Sequence, residues 1–279
     1  MKKILVPTDF SDASHNAFLV ALNLARHTKA EVTLCTAYDQ PSGGMAVMID
    51  LSERLKRNAD EDLYNEICKA KEAGFDDVVI HQQCMRGDTP VVIERLASME
   101  KADIIVMGKT GQSGFSRKLI GSNTAKTINE SKHNILVVPE GVGFKEMKKI
   151  CFATDLKEHN EEGHSFASCL KPMVTLGKTF DSEINVLHIT GSESSLKELY
   201  ETHGTQKKEI EEALAEVKHN FVFTVDPQVL KALKSHFDNM DYDLVCMIKH
   251  GYPWVQKVFK SSPTVEVSVS IKSLLLVIH

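Results

Sequence analysis

None of the six cysteines (Cys35, Cys68, Cys84, Cys151, Cys169 and Cys246) belongs to a C-x-x-C pair. Thiols scattered in this way fit buried, reduced side chains and exclude a disulfide framework or a zinc knuckle. Apolar runs are short, and none approaches the length of a membrane span. The first of them, Ile4-Leu5-Val6, is cut by Pro7 and Asp9, too early for a signal peptide. Basic blocks are missing as well. With 33 Lys and Arg against 38 Asp and Glu, the net charge is −5, which argues against nucleic acid as the main partner. These absences predict a cytoplasmic protein with neither a nucleic-acid nor a membrane partner.

Catalytic signatures are absent too. There is no nucleophile elbow, no H-E-x-x-H and no pair of carboxylates with a partner base. Gly108-Lys109-Thr110 ends like a Walker A motif, but Asp103 stands where its first glycine belongs, and Gly111 and Gly114 interrupt the helix that must follow. The segment Pro7-Thr8-Asp9-Phe10-Ser11 is not the S-G-G-x-D-S of an ATP pyrophosphatase. The H-I-G-H and K-M-S-K-S of class I synthetases do not occur. His81 with Cys84, and His159 with His164, lack further ligands at zinc spacing. The chain reads as a binding protein with no assigned catalytic residue and at most weak hydrolysis of a bound nucleotide.

What is present is a glycine pattern. Gly108 and Gly111, then Gly121-Ser122, form G-x-x-G-(nine residues)-G-S after the apolar run Ile104-Ile105-Val106-Met107 and before a helix-compatible stretch from Thr124. Glycines at a strand end let backbone N–H groups approach an anion, and a Gly-Ser at a helix start adds donors suited to phosphate. The other reading of these glycines is a surface loop with turn formers.

The N-terminus adds context. Lys3 to Pro7 reads as a strand, Ser11 as an N-cap, and Ala13, Ala17, Ala21, Leu24 and Ala25 fall at helical spacing. Val32 to Ala37 is a second strand with Asp39 at its end. Strand, helix and strand with short connections make a βαβ unit of a parallel sheet, where ligands gather at the carboxyl ends of strands. Asp9, Asp39 and the Gly108 loop all lie at such ends.

Together, Ile4-Leu5-Val6-Pro7-Thr8-Asp9-Phe10-Ser11, Arg86-Gly87-Asp88-Thr89-Pro90, the glycine pattern and Asn134-Ile135-Leu136-Val137-Val138-Pro139 resemble the universal stress protein family. The glycine spacing is that of its ATP-binding subgroup. The resemblance implies adenine and ribose contacts near Pro7, Thr8, Asp9 and Ala37. It places the triphosphate along Gly108, Gly111, Gly121, Ser122 and Asn123, with Met107 beside them, and ATP as cofactor, with Mg²⁺ a candidate companion. It also implies a stress-response regulatory protein whose nucleotide occupancy modulates interactions with a protein partner. A slow ATPase or phosphotransferase and a nucleotide-free scaffold are the alternatives.

Within that crevice, Asp9 is a hydrogen-bond acceptor for base or ribose, an anchor for hydrated Mg²⁺, or a charge complementing a helix dipole. Ser122 donates to phosphate or caps its helix. Lys109 and Arg117 either face the γ-phosphate or are solvated loop charges. Met45 and Met48 either cover the adenine or pack on a helix.

The chain also repeats itself. Lys148 to Asp155 echoes Lys2 to Asp9, and from 103 onward a constant offset relates Asp103 to Asp243, Gly121 to Ser261 and Val137 to Val277. Self-similarity of this length indicates tandem copies. The expected fold is therefore α/β: two Rossmann-like, adenine nucleotide α-hydrolase-like domains at 1–140 and 147–279, each a five-stranded parallel sheet flanked by helices. In the second copy Ile248 replaces Gly108, Ser261 replaces Gly121 and Pro263 replaces Asn123, with Tyr252, Pro253 and Trp254 in the loop. This half reads as a degenerate, structural partner. The apolar last strands of the copies suggest an intramolecular pseudo-dimer, with a homodimer also open. His250 reads as a solvated loop residue.

Overall fold

The computed structural model describes residues 1–38, 45–109, 121–156, 166–193, 204–249 and 273–279. The chain divides into two compact units, Met1–Phe144 and Lys145–His279. Asp39, Gly111, Arg117, His250, Tyr252, Pro253, Trp254, Ser261 and Pro263 lie outside the described residues, as do the side chains of Met45 and Met48.

The first unit alternates β1 (Lys3–Pro7), α1 (Asp12–Thr28), β2 (Glu31–Tyr38), α2 (Met45–Glu72), β3 (Ile80–Arg86), α3 (Thr89–Glu100), β4 (Ile104–Gly108), α4 (Ser122–Glu130) and β5 (Ile135–Val138). Its strands lie in the order β3-β2-β1-β4-β5 and every pairing is parallel. The strands of such a sheet are covered on both faces, so they read as continuous apolar runs. Ile4, Leu5 and Val6 and all five residues of β4 are accordingly buried. The Asp103 carboxylate accepts the Lys3 N–H at 2.9 Å, tying the start of β4 to that of β1.

Helix α1 follows from its sequence. Ser11 is extended and its side chain accepts the Ser14 N–H, as an N-cap should. Ala17, Phe18, Ala21, Leu22, Leu24 and Ala25 form the buried face, and Lys29 closes the helix in the left-handed conformation at φ 56°. Helix α4 begins at Ser122, two residues before the start read from the sequence. Its N-cap is Gly121, which has no side chain to mark the boundary.

The second unit runs β6 (Lys149–Ala153), α5 (Phe166–Cys169), α6 (Lys171–Phe180), β7 (Glu183–Thr190), α7 (Gly204–Ala213), β8 (Lys218–Val225), α8 (Val229–Asn239), β9 (Leu244–Ile248) and β10 (Leu274–Ile278). Its strand order, β10-β9-β6-β7-β8, is the same 3-2-1-4-5 arrangement, again all parallel. The α/β class and parallel sheets expected from the sequence are thus present. Individual bonds recur as well. Lys149 N–H donates to Asp243 as Lys3 does to Asp103, both at 2.9 Å. Lys249 N–H donates to the Ile278 carbonyl as Lys109 does to that of Val138, both at 2.8 Å. One difference has a covalent cause: Pro172 lies at the start of α6 and separates it from α5, since proline supplies no N–H to continue a helix.

Candidate functional site

A cavity of about 500 Å³ opens at the carboxyl ends of β1, β2 and β4 in the first unit. In the order β3-β2-β1-β4-β5 this is where the sheet changes winding direction, since the chain leaves β1 toward one side and re-enters at β4 on the other. Pro7, Thr8, Asp9, Ala37, Met107, Gly108, Gly121, Ser122 and Asn123 all line it. Nine of the ten positions singled out from the sequence therefore line one cavity, and the tenth, Gly111, lies outside the described residues.

The wall from β1 is a tight turn. Thr8 N–H donates to the Cys35 carbonyl at 2.8 Å, and the Thr36 hydroxyl donates to the Thr8 carbonyl at 2.9 Å. The Thr8 hydroxyl in turn accepts the Phe10 N–H at 2.9 Å. This holds Phe10 in the left-handed region at φ 62°, unusual for a bulky residue. Asp9 Oδ1 accepts both the hydroxyl of Ser11 (2.6 Å) and its N–H (3.2 Å). The carboxylate is thereby fixed at the mouth while Ser11 caps α1.

The opposite wall is the start of α4. Gly121 N–H donates to the Lys109 carbonyl at 2.7 Å, tying the start of α4 to the end of β4. The first bond of the helix is Ala125 N–H to the Gly121 carbonyl at 2.9 Å, and among the described residues no side chain caps this end. The N–H groups of Ser122, Asn123 and Thr124 therefore have no intrahelical acceptor, and the positive end of the helix dipole faces the cavity. The Thr124 hydroxyl donates to the Gly108 carbonyl at 2.9 Å and locks α4 to β4.

Gly108 has a reason for being glycine that sequence reading missed. A Cβ there would lie 2.7 Å from the Ala13 carbonyl oxygen and 2.9 Å from its carbon. Those atoms belong to the backbone of α1, so any side chain would push the helix off the sheet. Close packing demands this glycine whether or not an anion approaches it.

Phe10, Ser14, Thr36, Thr89, Ile93 and Thr124 also line the cavity and were not singled out. Thr36 and Thr89 adjoin motif residues, so adjacency was the available signal; Ile93 arrives one turn into α3 and carries no local mark. Asp9 is the one charged side chain among the described lining residues. Lys109 does not line the cavity; burial lowers its pKa, and no acidic partner for it is present among the described residues.

The universal stress protein family model matches residues 1–139. A universal stress protein of Methanocaldococcus jannaschii is 37% identical over 143 residues, covering 49% of this chain and 81% of that protein. One from Mycobacterium tuberculosis is 30% identical over 142 residues, 49% of this chain and 95% of that protein. The crystal structure of a universal stress protein from Archaeoglobus fulgidus matches 99% of this chain and 97% of that one with a TM-score of 0.70. At 17% identity that likeness concerns the fold alone. With more than a third of its N-terminal half identical to a relative of which it covers four fifths, the chain belongs to the universal stress protein family.

Proposed function

We propose that the first unit binds an adenine nucleotide, ATP with Mg²⁺, in the β1–β4 cavity, and that the protein is a nucleotide-responsive stress regulator rather than an enzyme. The observation that carries this reading is the uncapped N-terminus of α4 facing Asp9 across a cavity at the sheet's switch point. An anion is stabilised by the free N–H groups and the dipole at one end. Hydroxyl or amino donors of a nucleoside meet the Asp9 carboxylate at the other. A volume of about 500 Å³ is within the range of roughly 300–1,000 Å³ typical of small-molecule sites.

Asp9 is also the residue here suited to a Mg²⁺ carried by phosphates, since this ion is commonly held by one or two carboxylates, phosphate oxygens and water. Among the described residues no three His, Cys, Asp or Glu gather as a metal cage, so the ion would depend on the nucleotide. Nucleotide occupancy would bias a surface for a protein partner. The second unit, with Ile248 in place of Gly108, is a degenerate domain with a structural role in this reading. No described helix is long and apolar enough to cross a membrane.

Nucleotide stoichiometry tests the reading. The purified protein is denatured, the released nucleotides are identified by chromatography, and the emptied protein is titrated with Mg·ATP. About one ATP per chain is expected, lost in Gly121→Val and kept in Ser261→Val. Two per chain would contradict a degenerate second unit. No adenine nucleotide bound under any condition would remove the proposal and leave a scaffold.

A further inference from the structure

We infer that Phe10 is the wall against which the base of the nucleotide stacks, and that it sets a preference for a large, planar purine; this rests on the nucleotide reading above. The turn that carries Phe10 occurs twice in the chain. In the first unit Phe10 has φ 62° and its N–H donates to Thr8 Oγ1 at 2.9 Å. In the second, Leu156 has φ 56° and its N–H donates to Thr154 Oγ1 at 3.2 Å. The strained backbone is thus a property of the Thr-Asp-x turn and does not depend on which side chain follows.

The fate of the side chain differs. Leu156 is fully buried, whereas Phe10 keeps 37% of its surface exposed. Leu156 contributes to the core of its unit, while a large part of the aromatic surface of Phe10 stays in water. Phe10 lines the switch-point cavity together with Ala37, Ile93 and Met107, and also borders a second groove along α2. An apolar side chain is therefore held at the cavity by a backbone whose Phe10 N–H is bound by Thr8 and whose next N–H, that of Ser11, is bound by the Asp9 carboxylate. An aromatic face so placed stacks on a nucleobase, with the α4 N-terminus taking the phosphates on the other side.

Leucine is the informative replacement, because Leu156 shows that this turn accepts it. ATP and UTP share ribose and triphosphate, so their affinity ratio isolates the base. Calorimetric titrations of wild type, Phe10→Leu and Phe10→Tyr with Mg·ATP and Mg·UTP are compared. Wild type should prefer ATP. Phe10→Leu should weaken ATP about tenfold, the scale of one lost base–aromatic stack, and weaken UTP less, so that the preference narrows. Phe10→Tyr should behave as wild type. Unchanged ATP affinity in Phe10→Leu would overturn the inference and leave the nucleotide reading intact. So would equal losses for both nucleotides, which would assign Phe10 to turn geometry instead. Wild type binding neither nucleotide would overturn both.

Discussion

The two units end their first strands in the same turn and then use the space beyond it differently. Thr36 and His188 hold matching places: the Thr36 hydroxyl donates to the Thr8 carbonyl, and Nδ1 of His188 bonds the Thr154 carbonyl, both at 2.9 Å. Threonine leaves room beside that bond, and Thr36 borders the open cavity. Histidine makes the same bond with a ring, and His188 is buried with Leu156 beside the turn residue Thr154. The same hydrogen bonds thus frame the end of the first strand in both units, while the side chains differ: Phe10 and Thr36 border a cavity, whereas Leu156 and His188 are buried. On the reading proposed above, a degenerate copy keeps the frame because sheet and helices depend on it.

The largest expected effect comes from exchanging the residues at the ends of β4 and β9. Gly108→Ile places a branched side chain against the α1 backbone and should destabilise the first unit by about 3 kcal/mol, the upper range for overpacking. Ile248→Gly removes a buried side chain and should cost the second unit about 3–5 kcal/mol. Hydrogen exchange resolved by unit separates the two responses. A Gly108→Ile protein as stable as wild type would mean that α1 does not need this glycine, returning it to ligand binding alone.

Removing the α1 cap is the next test in size. Ser11→Ala deletes both the acceptor for Ser14 N–H and the hydroxyl that holds Asp9. A lost N-cap costs about 1 kcal/mol, and a freed Asp9 should also weaken Mg·ATP. Stability from urea midpoints and affinity from titration should fall together. If only stability falls, Asp9 serves the helix and not the ligand, the alternative that the sequence left open.

How much of this was legible in the sequence differs by level. Strand alternation, the Ser11 cap and the parallel arrangement follow from local pattern, because apolar runs and capping chemistry act over a few residues. Gly121 and Ser122 were legible from spacing, and Asn123 from the family resemblance. Phe10, Ser14 and Ile93 were not, because strand register and helix packing bring them to the cavity: Pro7 lies beside Cys35 in the β1–β2 register, and Ile93 reaches across from α3. The packing demand at Gly108 was illegible for the same reason, since Ala13 is remote in sequence and becomes a neighbour only when α1 crosses β4.

The units also differ beneath their sheets, and pH should expose it. Where the first unit has buried Leu5 and Leu96, the second has Cys151 and the half-buried His236, whose Nε2 lies 3.0 Å from the buried Tyr242 hydroxyl. Burial lowers the His236 pKa below its ordinary 6.5 and raises the Cys151 thiol to about 12. A histidine that is harder to protonate when folded gives stability that is complete above the unfolded pKa and declines as pH falls from 6.5 toward the folded value. The second unit should therefore lose protection in mild acid before the first. His236→Phe should remove that decline. An unaltered acid limb in the variant would place the titrating group elsewhere.

The smallest expected effect concerns Lys109, which shares a backbone bond pattern with Lys249. Burial lowers the Lys109 pKa, and no compensating charge lies among the described residues. The sign is opposite to that of a salt-bridged lysine. With the folded pKa depressed, the cost of burying the cation is fully present at neutral pH and fades as pH rises through the folded value toward 10.5. Lys109→Met keeps the length of the stem and removes the charge, so the first unit should gain a few tenths of a kcal/mol at pH 7, the scale of ordinary substitutions away from the core. That gain should disappear once the pH has passed 10.5. Because Lys109 does not line the cavity, Mg·ATP affinity should not change. A variant that loses nucleotide would show that the cation swings into the crevice when phosphate arrives, making charge at the loop neck, and not only an open mouth, part of what separates the two halves.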